Sequence, residues 1–126
     1  MSVSFSDYLV IGISSRALFN LEEENKIFET EGLDAYRQYQ IEHEQEILKP
    51  GSGFSLVKNL LSINQTLNHK YVEVIVMSRN SAETSLRIMN SLDHYQLDIG
   101  RMVMSSGQDV SKYLKVFDVD LFLSCN

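Results

Sequence analysis

Three short segments carry the side chains of this chain best suited to chemistry on an anion: Ser14-Ser15-Arg16, Ser78-Arg79-Asn80 and Ser105-Ser106-Gly107. Each combines hydroxyls with small residues, and two add an arginine. Hydroxyls, backbone N–H groups and a guanidinium fork are the donors that hold a phosphate. Breaking a phosphate ester asks for more, namely an activated nucleophile and charge neutralisation. The stretch GISSRALFNLEEE, residues 12–24, offers no aspartate for that task. Ser14 or Ser15 would become a nucleophile only beside a base, and no histidine or carboxylate is adjacent to them in sequence. The same residue types fill ordinary strand-to-helix turns. Each turn alone therefore has two readings, and the clustering of three keeps the anion-binding one open.

The remaining reactive side chains divide in the same way. His43, within IEHEQE, either reaches over the rim to a base or ribose or is a surface histidine between glutamates. It is not half of a zinc-protease motif, because Ile47 stands where the second histidine belongs. Phe19, Tyr36 and Tyr39 offer either an aromatic ledge for a base or core packing. His69 and His94 read as helix-end residues. Cys125 is the only cysteine, which excludes an internal disulfide and a cysteine-built zinc site.

The elements that position these residues alternate between strand-like and helix-like patterns. Residues 8–14 form a short apolar, β-branched strand. A helix from Leu21 to about Glu31 follows, with Gly32 as its C-cap. Asp34 is placed to cap a second helix running to about Leu48, stopped by Pro50-Gly51. Leu56, Val57, Leu60, Leu61 and Leu67 recur at amphipathic helical spacing. Residues 72–77 are the strongest strand. Asn80-Ser-Ala-Glu83 resembles a capping box, followed by an apolar stripe of Ala82, Leu86, Met89 and Leu92. Residues 102–104 form a third strand, a short helix covers 111–117, and 121–123 form a last strand.

Strands separated by helices predict a mainly parallel sheet covered on both faces, an α/β fold of three layers. Ligands in such sheets bind beyond the carboxyl ends of the strands, which brings the three hydroxyl-rich turns to one rim. Ser78 stands at a strand end before a helix N-terminus, where the dipole favours an anion. The net charge of −6 argues against non-specific nucleic-acid binding. It leaves small anionic ligands possible, since these need only local positive potential. The acidic residues at 22–31 and 42–46 read as a solvated face. No apolar run is long enough to span a bilayer, and the N-terminus lacks a basic secretory signal, so a cytoplasmic location is expected.

Several segments, in order and at similar spacing, resemble the cytosolic type I 5′-nucleotidase family of the haloacid dehalogenase superfamily. They are GISSRALF with its acidic helix, YRQYQIEHE at 36–44, PGSGFSLVKNLL at 50–61, VIVMSRNS at 74–81, Met89-Asn90-Ser91 with His94-Tyr95, YLK at 113–115 and DLFLS at 120–124. The resemblance implies a Rossmann-like fold with a small helical cap-like insertion after the first strand, at about 21–49, in a single domain. It extends to the family's non-catalytic first half. The family's second half carries an Asp-x-Asp nucleophile loop, and late aspartates help hold magnesium.

By this resemblance Ile13 stands at the nucleophile position and Ser15 at the acid/base position. Ser78 matches the phosphate-binding hydroxyl of the second motif, and Lys115 the charge-neutralising lysine of the third. Ser124-Cys125 occupy the metal position without a hard carboxylate. The implied protein binds a nucleotide through Ser14, Ser15, Arg16, Ser78, Arg79, Asn80 and Lys115, with Phe19, Tyr36 and His43 as base or sugar contacts. It has no catalytic residues and no cofactor, magnesium entering only within an active nucleotidase assembly. Its expected partners are the nucleotide and a second copy of itself, with no DNA, RNA or membrane. Two other readings stay open: the regulatory half of a magnesium-dependent 5′-nucleotidase, and an interaction module with a collapsed pocket.

Overall fold

The structure, a computed structural model, describes residues 8–78, 82–105 and 109–124. Four strands, β1 (Leu9–Ile13), β2 (Val72–Ser78), β3 (Arg101–Met104) and β4 (Leu121–Leu123), form an all-parallel sheet in the order β3-β2-β1-β4. The register pairs Ile11 with Val74, Gly12 with Phe122 and Ser78 with Met104. The helices are α1 (Ser15–Leu18), α2 (Glu22–Glu31), α3 (Leu33–Glu42), α4 (Phe54–Leu67), α5 (Ala82–His94) and α6 (Ser111–Val116).

β1 and β2 are apolar at nearly every position because both faces of the sheet are covered. Ile11, Ile13, Val74 and Val76 pack with Val57 and Leu61 of α4 and Ile88 and Leu92 of α5. Val10, Ile75 and Met77 face the other way, towards Tyr113, Leu114 and Phe117 around α6. The expected three-layer, Rossmann-like α/β arrangement is thus what the chain adopts. The strand order runs outward from β1 through β2 to β3 and then returns to β4. The switch point therefore lies between the carboxyl ends of β1 and β4, where such sheets bind ligands.

The helical insertion leaves and re-enters the sheet layer through a stalk. Asn20 N–H donates to Lys49 O at 2.8 Å, Gly51 N–H to Leu18 O at 2.9 Å and Gly53 N–H to Ala17 O at 2.7 Å. Close approach explains the PGSG turn. A Cβ on Gly51 would lie 2.8 Å from both the Ala17 oxygen and the Phe19 carbonyl carbon, which are backbone atoms that cannot swing aside. Gly32 joins α2 to α3 at φ +94°, a conformation that side chains resist.

Three expectations need correction. The second insertion helix ends at Glu42, not near Leu48, and its N-cap is Gly32, with Asp34 inside the first turn. The chain leaves the helix early because Leu48 must reach the core. Its N–H donates to Ser91 Oγ at 2.9 Å, and its carbonyl accepts from Tyr95 Oη at 2.7 Å. The apolar stripe of α5 is also displaced. Leu86 and Met89 are half-exposed, while Thr84, Arg87, Ile88, Ser91 and Leu92 are buried. Polar side chains occupy that buried face because the insertion supplies their hydrogen-bond partners. On α4, Val57 and Leu61 are buried but Leu56 and Leu67 face outward. Asn80 and Ser81 of the expected capping box lie outside the described residues.

Candidate functional site

The rim at the carboxyl ends of the strands is built around two hydroxyls. Ser15 Oγ and Ser78 Oγ lie 2.8 Å apart, and the two residues are 2% and 4% exposed. They come from turns 63 residues apart in sequence, joined because β1 and β2 are neighbours. Ser14 caps α1, its Oγ accepting from Ala17 N–H at 3.2 Å, while its own N–H donates to Leu123 O at 2.9 Å across the β1–β4 switch point. Ser105 closes the other side, its N–H donating to Ser78 O at 2.8 Å. Ser14, Ser15, Ser78 and Ser105, drawn from the three predicted turns, thus meet at one edge. Arg16 projects as an exposed residue of α1. Arg79 and Asn80, together with Ser106, Gly107 and Cys125, lie outside the described residues.

The other predicted contacts are placed less favourably. Phe19 is wholly buried, stacked on Tyr95 at 6.0 Å and tilted against Phe54 at 6.3 Å, so it is core and has no face for a base. Tyr36 is buried too, its Oη 2.8 Å from Thr84 Oγ1 in the first turns of α5. His43 is half-buried at the end of α3, with Nδ1 2.7 Å from Tyr39 O and its ring stacked on Tyr39 at 3.9 Å. Burial, then the charges of Glu24 and Glu23, push the Tyr39 phenol above its ordinary value. Lys115 sits in the last turn of α6. That turn adjoins the α6–β4 connection, whose Asp120 N–H bonds Val10 O near the amino end of β1, away from the rim. Lys112, in the first turn of the same helix, is closer to the rim and its Nζ lies 5.1 Å from the Tyr113 ring centroid.

The polar groups that meet at the rim are hydroxyls and backbone amides. Ile13, at the position the resemblance gives to a nucleophile, is fully buried in the apolar core. One partner of Ser15 is the Ser78 hydroxyl, which cannot act as a general base. Among the described residues no three His, Cys, Asp or Glu side chains gather into a metal-holding group. Hydroxyls at Ser15, Ser78 and Ser124 are a poor match for magnesium, which prefers carboxylates and phosphates, so no step here is assigned to a metal.

Two features went unread in the sequence. One is the polar seam between α5 and the insertion. Arg87, 3% exposed, pairs with the Glu24 carboxylate and donates through Nε to Glu46 O at 3.0 Å and through Nη1 to Gln40 Oε1 at 3.3 Å. Asn90 Nδ2 adds a bond to Glu44 O at 2.9 Å. The signal was present: Thr84, Arg87, Ile88, Ser91, Leu92 and Tyr95 follow a helical face, but half of them are polar. The other feature is an open cleft of about 720 Å³ at the amino end of the sheet, lined by Tyr8, Asn64, Lys70, Glu73, Asp98 and Arg101 among others. There Glu73 pairs with Arg101 and accepts from Lys70 Nζ at 2.7 Å. Burial pushes its carboxyl up, but the hydrogen bonds and charges of Lys70 and Arg101 outweigh this and hold it below its ordinary value.

Comparison with known proteins agrees with this geometry. A family model described as 5′-nucleotidase matches residues 1–126. Human cytosolic 5′-nucleotidase 1B is 36% identical over 124 aligned residues, which take in 94% of this chain and 20% of that protein. The chain thus spans about one fifth of the length of that curated relative. No solved structure matches. Among the described residues no helix is long and apolar enough to cross a membrane.

Proposed function

Since the chain belongs to the 5′-nucleotidase family, we propose that it is a non-catalytic nucleotide-binding protein that retains a phosphorylated nucleotide at the carboxyl rim of its sheet. One observation carries this reading: the buried Ser15–Ser78 hydroxyl pair at the rim, in a loop whose nucleophile position is a core isoleucine. Hydroxyls, the N–H groups of the rim turns and cations such as Arg16 supply binding terms for a phosphate. The carboxylates that an aspartyl-phosphate route would need are missing from the same loop. Sequestering or sensing a nucleotide signal follows from binding without turnover. A homodimer is part of the proposal and is checked by light scattering after gel filtration.

The test is to incubate the pure protein with a nucleotide panel and magnesium, isolate it, denature it and identify released and free species by mass spectrometry. An intact nucleotide released only on denaturation supports the proposal. Accumulation of nucleoside and phosphate overturns it. A second reading rests on the fact that the chain matches one fifth of its relative. In that reading it serves as the non-catalytic portion of a magnesium-dependent 5′-nucleotidase, and turnover appears only when a protein carrying an Asp-x-Asp loop is added.

A further inference from the structure

Helix α4 is apolar on two faces, and the fold uses only one of them. Phe54, Val57 and Leu61 are buried against the rest of the core. A second stripe, Leu56, Leu60, Ile63 and Leu67, follows in steps of four, three and four residues, the spacing of a helix–helix seam. Leu60 is partly buried, and the other three are exposed, Leu67 to 57%.

The neighbours of α4 fix where this stripe looks. Phe54 meets Tyr95, just past the end of α5, with ring centroids 4.9 Å apart. By helical periodicity the stripe lies on the opposite flank, away from α5. Since α5 leads from β2 out to β3, that flank is turned towards β4 at the other edge of the sheet. There the sheet continues the patch. Leu121 pairs with Ile11 and Leu9 lies two residues before it, so both share the face of Ile11 that α4 covers. Both are exposed as well.

We infer that this flank is the surface through which two copies of the chain pair, with their α4 helices antiparallel about a twofold axis. Three features fit a second copy. The spacing is palindromic, so the axis sets Leu56 of one copy against Leu67 of the other and Leu60 against Ile63. The only charged residue of α4 is Lys58, on the flank away from the stripe, so the pairing brings no like charges together although each copy carries a net charge of −6. The exposed Phe28, Leu33 and Ile41 of the insertion lack that advantage, because α2 and α3 are rich in carboxylates. Area is the third feature. The patch offers roughly 400 Å² of apolar surface, the scale at which an exposed patch marks an interaction site. Twofold pairing buries about twice that, close to the apolar share of a standard interface. The inference gives the proposed homodimer its surface and rests on that part of the reading alone, not on nucleotide binding.

Sedimentation equilibrium on the full chain tests it, with a dimer expected for the parent. Leu67→Glu sets a carboxylate in the apolar seam and should raise the dissociation constant about a hundredfold. The circular dichroism spectrum should stay unchanged, because position 67 is exposed. Leu67→Ser adds no charge and should raise the constant about tenfold should the first variant fold poorly. Leu33→Glu, on the exposed side of α3, should leave it within about twofold. Mixing Leu56→Lys with Leu67→Glu should give a heterodimer, since antiparallel pairing sets one lysine against one glutamate and keeps the other contact native. A dimer that survives Leu67→Glu, or a mixture that stays monomeric, overturns this interface and leaves the homodimer to another surface. A parent that is monomeric at every concentration overturns both, as does one that associates only with a longer 5′-nucleotidase chain. None of these results bears on whether a nucleotide binds.

Discussion

The Ser15–Ser78 pair can be taken apart in a way that separates folding from binding. The two hydroxyls are 2.8 Å apart and each residue is under 5% exposed. Removing either one deletes that bond and leaves the other hydroxyl less well satisfied in a dry site, which costs about 1–2 kcal/mol. For a chain of this length that lowers the melting temperature by roughly 4–8 °C. Removing both takes away donor and acceptor together. Because their shared bond can be lost only once, Ser15→Ala with Ser78→Ala should be less destabilised than the sum of the single variants, by a coupling of about 1 kcal/mol in a double-mutant cycle. Binding should behave differently. A hydroxyl donating to a phosphate makes a charge-assisted bond worth about 1.5–3 kcal/mol, so each removal weakens affinity roughly ten- to a hundredfold. The double variant should then be the weakest binder, while its loss of stability falls short of the sum of the two single losses. Urea unfolding and calorimetric titration with adenosine 5′-monophosphate read the two quantities separately. Stability effects that add to within about 0.3 kcal/mol would show that the hydroxyls do not interact. Unaltered affinity in the double variant would remove the rim as the phosphate site.

Three further outcomes are expected. Gly51→Ala must push a methyl to within 2.8 Å of the Ala17 oxygen, so thermal melts should show a loss of about 2–4 kcal/mol, far beyond the usual cost of adding a methyl to a loop. Glu73, held below the ordinary carboxyl value of 4.5 by Lys70 and Arg101 against the opposing effect of burial, stabilises the fold fully above pH 4.5. That contribution is lost as pH falls through its depressed folded value, and Glu73→Gln should flatten the acid limb of the stability profile measured by urea unfolding at stepped pH. Lys112→Ala should weaken nucleotide affinity by about 3- to 30-fold in calorimetric titration, while Lys115→Ala leaves it within about twofold; the opposite ranking would restore Lys115 to the site.

The sheet and its order of elements were legible because strands buried on both faces announce themselves as runs dominated by β-branched residues, as in VEVIVM at residues 72–77. The rim was legible for a topological reason: once the strands were parallel, the turns after them had to share an edge. What the sequence concealed was how the insertion docks. A pattern of apolar residues at helical spacing identifies a docking face only when docking is apolar, and α5 violates that premise by burying Thr84, Arg87 and Ser91 while exposing Leu86 and Met89. The early end of α3 was hidden for a related reason. Nothing local breaks the helix at His43; the demand that Leu48 reach Ser91 and Tyr95 comes from the tertiary fold. The role of Lys115 at a phosphate is an expectation of the motif match; the structure places it in the last turn of the short α6.

Retention of a phosphate and cleavage of a phosphate ester make separable demands on a site, and the proposal of binding without turnover rests on that difference. Retention needs donors that converge at a strand end, and Ser14, Ser15, Ser78 and Ser105 converge through backbone and side-chain contacts that the parallel sheet enforces. Cleavage by the aspartyl route needs a carboxylate at position 13. There the isoleucine side chain is part of the core and lies so close to the PGSG turn that a Cβ on Gly53 would come within 3.0 Å of its Cδ1. An ionised carboxylate at that point would be desolvated among apolar groups. The absence of a nucleophile is therefore not a single exchange at an otherwise prepared site. The surrounding packing has been built around an apolar residue, while the hydroxyl rim beside it has kept its hydrogen-bonded geometry. The rim hydroxyls stabilise the fold through their own bond, so the affinity of the Ser15 and Ser78 variants, and not the presence of that bond, separates binding from an empty relic.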